Sequence, residues 1–113
     1  MNREEWRDVI GYNGRYEISD MGRIRSRVRH DGKKASNIPP HYLTPHPTRD
    51  GYLIVKLTLH GRTSTRTIAS LVADAFIPAP RHSTFVARPI DGDMTNCRAD
   101  NLRWMPRQGR RHA

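Results

Sequence analysis

Val86 to Trp104 reads VARPIDGDMTNCRADNLRW, and the fold turns on how this stretch is read. Asp91-Gly92 marks a turn, and aspartates such as Asp91 and Asp93 cap turns by accepting hydrogen bonds from nearby backbone. Both could also bind a cation, but capping is the commoner use of such residues. Leu102 and Trp104 supply packing surface on the far side of the loop.

Working outward, the residues just upstream have helical period. Ile68, Leu71, Val72, Ala75 and Phe76 fall at i, i+3, i+4, i+7 and i+8, the spacing of one apolar stripe. Thr67 is the candidate N-cap, and Pro78 and Pro80 end the element. Before it, Gly51 to Leu59 is the strongest strand, with Leu53, Val55, Leu57 and Leu59 on one face. His60-Gly61 reads as a hairpin turn. The return strand to Thr67 alternates Arg62, Ser64 and Arg66 with Thr63, Thr65 and Thr67, which predicts a hairpin with one basic face.

The N-terminal part is built from turns and short strands. Trp6, Val9 and Ile10 are its first apolar anchors, Gly11, Asn13-Gly14 and Asp20-Met21-Gly22 mark turns, and Tyr16 to Ser19 alternates as a strand. Arg23 to Arg29 then alternates strictly: Arg23, Arg25, Arg27 and Arg29 on one face, Ile24, Ser26 and Val28 on the other. As a strand this presents arginines about 7 Å apart, near the spacing of successive phosphates. Lys33 and Lys34 extend the tract. Residues 30–50, with Pro39, Pro40, Pro45 and Pro47, read as an extended connector, and His41 and His46 as loop histidines without a metal set.

At 113 residues the chain is one small domain, or two minimal modules sharing a core. Only 35% is apolar, enough for a modest core. Lysine and arginine number 20 against 11 acids, for a net charge of +9. That surplus points to a polyanion, nucleic acid above all, over a basic surface kept for solubility, because the charges are patterned. The single cysteine, Cys97, excludes an internal disulfide and a cysteine-only zinc cage; in a polar loop it reads as incidental. No run approaches the ~20 apolar residues of a membrane span, and MNREEWRDV lacks a signal-peptide core. A cytoplasmic protein without a membrane partner is expected.

The run from Ile90-Asp91-Gly92-Asp93 through Thr95-Asn96 to Asn101-Leu102-Arg103-Trp104 resembles the active-site segment of HNH homing endonucleases. Thr67 to Pro80 is similar to the segment that precedes the catalytic hairpin in that family, whose histidine at the helix start is Ala69 here. Glu4 to Ser26 resembles the NUMOD4 module that accompanies such nucleases. The resemblance implies an α+β fold: small antiparallel β modules, one amphipathic helix and a ββα-metal hairpin. It also implies a divalent metal held by a carboxylate or amide, a histidine base and a bracing asparagine.

The register departs from that chemistry. The metal ligand falls on Arg88, whose guanidinium has no lone pair to give. A +1 charge about 4 Å from a +2 ion costs roughly 8 kcal/mol at an effective dielectric near 20. The base falls on Pro89, and losing a general base costs roughly 100- to 10,000-fold. The metal residue of the final helix falls on Arg110. The bracing asparagine is retained as Asn101, and His82 and His112 are the histidines that could substitute as a base. The hairpin is therefore read as degenerate, with no catalytic or metal-binding residues.

The expected organisation is a NUMOD4-like strand module over 1–29, a connector over 30–50 and an HNH-like domain over 51–113. The function read from these residues is DNA binding by a catalytically inactive, phage-type homing-nuclease relative, one use of which would be regulation. Alternatives are an active HNH nuclease with an atypical site, using magnesium or another divalent metal, and a phage protein that modulates a host nucleic-acid enzyme. No cofactor is expected on the first reading. The residues expected to meet DNA, mostly at phosphates, are Arg23, Arg25, Arg27, Arg29, Lys33, Lys34, Arg62, Arg66, Arg88, Arg103, Arg107, Arg110 and Arg111.

Overall fold

The computed structural model of the protein describes residues 3–27 and 41–106. Strands β1 (Trp6–Asp8), β2 (Tyr16–Ser19), β3 (Ile24–Ser26) and β4 (His41–Leu43) form an antiparallel sheet in that order. Ile18 pairs with Ile24, and Ile24 with Leu43, so their side chains share the inward face; Glu17, Arg25 and Tyr42 are aligned in the same way on the outward face. Ile18 and Ile24 are fully buried, the outcome that the period-2 pattern of a half-buried strand dictates.

A second sheet holds β5 (His46–Pro47), β6 (Leu53–Leu59) and β7 (Arg62–Thr67), with β6 central. Strands β4 and β5 thus lie within the stretch read as a connector: its prolines exclude helix, but Pro47 is tolerated in an edge strand, where no ladder donor is needed. His60 and Gly61 both have positive φ, 52° and 76°, the two-residue type I′ geometry that suits a right-twisted hairpin. Val55 and Leu57 are buried, with Leu53 and Leu59 packed beside them.

The predicted basic face of this hairpin does not form. Val55 lies opposite Arg66, Leu57 opposite Ser64 and Leu59 opposite Arg62. Directly opposed residues share a face, so the arginines lie alongside the apolar row and the threonines share the other face with Lys56. Each strand's alternation is as read; the two-residue turn decides which row meets which.

Helix α1 (Ile68–Phe76) follows at once. The Thr67 side chain accepts from the Ser70 amide at 3.2 Å, satisfying one of the orphan donors of the first turn. Ile68, Ala69, Leu71, Val72 and Ala73 are buried. The helix packs on β2, β6 and β7 and on the last hairpin, β8 (Phe85–Pro89) with β9 (Leu102–Pro106). Its C-terminus, which carries no basic residue of its own, takes one from β1: Arg7 Nη1 donates to the Ala75 carbonyl at 2.6 Å. That guanidinium also lies 4.5 Å from the Phe76 ring centroid.

One core serves all these pieces. The Tyr16 hydroxyl, from the first sheet, accepts from the Thr58 amide on β6 at 2.9 Å. The Asp20 carbonyl accepts from Ala99 at 2.8 Å, joining the first sheet to the loop between β8 and β9. Cys97, read as an incidental loop side chain, is 4% exposed and belongs to the core. It seats against Gly22, where an added Cβ would stand 3.3 Å from both the Cys97 Cβ and its carbonyl oxygen. Gly22 also has φ +87°, so glycine is required there twice over. The fold is α+β, as read.

Candidate nucleic-acid interface

The outward face of the first sheet carries an arginine and aromatic layer. The Arg25 guanidinium lies 3.8 Å from the Trp6 ring centroid, and that of Arg23 lies 5.1 Å from Tyr42 and 5.6 Å from Trp6. Trp6 and Tyr42 meet edge to face at 5.9 Å. Two acids complete the layer: Glu17 accepts from Arg25 Nε at 2.7 Å, and Glu4 takes a two-pronged hydrogen bond from Arg23. That bond holds the Glu4 carboxyl below its ordinary range and raises the Arg23 guanidinium.

The arginine row therefore differs from its sequence reading in one respect. Alternation shows no acid between the arginines, yet neighbouring segments supply two across the sheet. Arg25 is half-buried and occupied, while Arg23 remains exposed. Tyr42, Glu4 and Glu17 have no role in the sequence reading, and Trp6, read there as an apolar anchor, stands on the outward face against Arg25. Glu17's outward position was readable from Tyr16 and Ile18 on either side of it, but its partner required the register. Arg29, Lys33 and Lys34 lie outside the described residues.

The loop between β8 and β9 is organised around Asp91. One carboxylate oxygen accepts from the Asp93 amide at 2.8 Å and from Asn101 Nδ2 at 3.0 Å; the other accepts from Asn96 Nδ2 at 3.0 Å. Asn101 Nδ2 also donates to the Asn96 carbonyl at 2.9 Å. The Asn101 bond, followed by those from Asp93 and Asn96, holds the Asp91 carboxyl below its ordinary range. Asp93 in turn caps Thr95, accepting from its amide at 3.0 Å and its hydroxyl at 2.7 Å.

On the strands, Pro89 is buried against the core and Arg88 lies directly opposite Arg103. A divalent cation would need anionic or neutral lone-pair donors converging here. The site presents a guanidinium and a proline ring, and the loop carboxylates are engaged in capping. Among the described residues no three His, Cys, Asp or Glu side chains come together. The described residues on these strands offer a cation no converging set of such donors. His82 is exposed in the preceding loop, its ring 5.5 Å from that of Phe85. Arg107, Arg110, Arg111 and His112 lie outside the described residues.

A groove of about 720 Å³ runs beside β8; Tyr52, Ile54, Asp74, Phe85, Arg88 and Trp104 are among its lining residues. Trp104 is fixed by donating Nε1–H to the Pro78 carbonyl at 2.9 Å. Asp74 is paired with Arg66 at 3.2 Å. Arg66 is thus tied to the helix, while Arg62 and Arg103 are exposed.

A strand sheet leading into a hairpin, helix and asparagine-braced ββ loop defines a relative of the HNH homing endonucleases. Residues 4–58 match the NUMOD4 motif, past the first sheet and into β6. One such relative is DNA endonuclease I-HmuI of Bacillus phage SP01, 31% identical over 101 residues, which are 89% of this chain and 52% of that protein. A solved structure from work on DNA binding and cleavage by the HNH homing endonuclease I-HmuI superposes with a TM-score of 0.73 at 30% identity. It covers 90% of this chain and 52% of the other. The chain is homologous to this nuclease and spans about half its length. No helix among the described residues is long and apolar enough to cross a membrane.

Proposed function

We propose that this chain binds DNA mainly through backbone phosphates and does not cleave it, acting as a regulatory, phage-derived relative of a homing nuclease inside the host cell. The observation that carries this reading is the chemistry of β8. The resemblance in sequence assigns the family's metal ligand and general base to Arg88 and Pro89, and neither residue type can do that work. The loop that frames such a site is intact around Asp91, Asn96 and Asn101. Its retention without the reacting groups favours a role in holding DNA. The net charge of +9 and the homology to a DNA endonuclease support the polyanion partner.

The contacts we assign come from Arg23, Arg27, Arg62, Arg88 and Arg103, with Arg29, Lys33, Lys34, Arg107, Arg110 and Arg111 beyond the described residues. Arg25 and Arg66 contribute charge at a distance, since each is partly buried against the carboxylate it holds, whereas Arg23 stays exposed beside Glu4.

Incubation with supercoiled plasmid and magnesium or manganese leaves the DNA uncut on this reading; nicking that a chelator abolishes overturns it. A gel-shift titration should show binding that weakens steeply with salt, by roughly 10³ to 10⁵ between 50 and 200 mM for six to ten phosphate contacts. Absent or salt-insensitive binding would instead favour a protein partner on the same surface.

A further inference from the structure

Resting on the DNA-binding reading above, we propose that Arg88 and Arg103 form a two-arginine site for a phosphate oxyanion, filled by one backbone phosphodiester. The register of β8 and β9 sets Arg88 directly opposite Arg103. Ala87, Pro89 and Leu102 alternate with them and are buried, so the Arg88 and Arg103 side chains share the hairpin's other face. Like charges directly opposed across a strand pair are destabilising. Elsewhere the fold answers such charges: Arg23, Arg25, Arg66 and Arg98 each hold a carboxylate. Arg88 and Arg103 have no ion-pair partner among the described residues.

The Arg88 Nε is the sharper observation. It is buried and has no hydrogen-bond partner, an arrangement that native proteins rarely tolerate without a ligand or water. The neighbouring acids do not serve it. Asp91 is engaged by Asn96, Asn101 and the Asp93 amide, and Asp74 by Arg66. Asp50 also lines the groove that Arg88 borders but makes no ion pair with it. A tetrahedral oxyanion answers both deficits, because a guanidinium presents donors in the fork that matches phosphate.

The charge also balances. Two guanidinium groups carry the same +2 as the divalent ion of a nuclease, and neutralise a phosphate equally well. They supply no lone pair and activate no water. The site binds where a nuclease would cut.

The ligand chemistry could come from DNA or from free phosphate, and two measurements separate these sources. In the first, thermal unfolding of the whole chain is followed in inorganic phosphate and in chloride at matched ionic strength. Phosphate should raise the Tm of the wild-type protein, and Arg103→Gln and Arg88→Gln should each lose that rise. Arg103 is exposed, so its variant keeps the fold, which the same melting curve reports. In the second, gel-shift titrations with a DNA duplex at several salt concentrations compare the same proteins. Arg103→Gln should make the log–log salt slope shallower by about one, and Arg103→Lys should keep the slope. A phosphate effect lost in Arg103→Gln, in a protein that binds no DNA, leaves the anion site standing with free phosphate as its ligand and overturns the DNA reading. If phosphate gives no rise beyond chloride and Arg103→Gln binds DNA with an unchanged slope, the site is overturned while DNA binding stands.

Discussion

Asp91 is the acceptor on which the last loop closes, and its carboxylate takes hydrogen bonds from two asparagine side chains and one backbone amide. Replacing Asn101 by alanine removes the Asp91 bond and the bond to the Asn96 carbonyl together. We expect a lower midpoint in denaturant unfolding, and a rise of the Asp91 titration toward the ordinary carboxylate range in an NMR pH series. The pH dependence has a definite sign. The folded-state carboxyl lies below its unfolded value, so its contribution is fully present above the unfolded value and is lost as pH falls through the folded one. An Asp91→Asn variant should lack that acid-side loss. Arg25 makes a second prediction at this scale. Stacked on Trp6 and paired with Glu17, it should cost about 1 kcal/mol of stability when replaced by alanine, measured by chemical denaturation. A variant with unchanged stability would show the layer to be incidental.

At the scale of elements, α1 was legible in full: the apolar spacing, the Thr67 cap and the proline stop all predicted Ile68–Phe76, which is the helix observed. Its C-terminal partner was not legible, because Arg7 is 68 positions from Ala75 in the chain. Arg7→Ala should lower stability by about 1 kcal/mol by leaving the Ala75 carbonyl without its cationic donor and Phe76 without its cover. Arg7→Lys should recover only part, since the planar stack is lost; equal losses for both in thermal melts would argue against the stack. Gly22→Ala tests the contact between the first sheet and the Cys97 loop. With a positive φ and a backbone carbonyl 3.3 Å from the new Cβ, it should destabilise by about 1–3 kcal/mol, read from the denaturation midpoint. Burial also pushes the Cys97 thiol up, so it should react slowly with a thiol reagent until the fold opens.

For the whole molecule, the short sheets are held as one body by a few bonds between them. Strand β5 reaches only Leu53 and Ile54 on β6, and the Tyr16 hydroxyl takes over further along, at the Thr58 amide. Tyr16→Phe leaves that donor unpaired, so a loss of about 1–3 kcal/mol is expected. The sheets should still unfold in one transition; separate transitions for the two would overturn the single-core description. Homology to an HNH nuclease was legible from the Asp91-Gly92 turn, the asparagines and the helix, because turn chemistry and helical period are local properties that survive in a linear reading. That Arg88 and Pro89 replace the family's reacting groups is likewise a reading of the sequence, and the proposed absence of cleavage rests on it, since a proline ring carries no titratable proton. The pairing of rows was not local. Arg62 and Arg66 joined the apolar side because a two-residue turn set the register, and Glu4 and Glu17 reached the arginines because the sheet brought them across. Arg88 came to face Arg103 in the same way: strand alternation names the residues on each face, but only the hydrogen-bonded register of two distant segments chooses which of them meet.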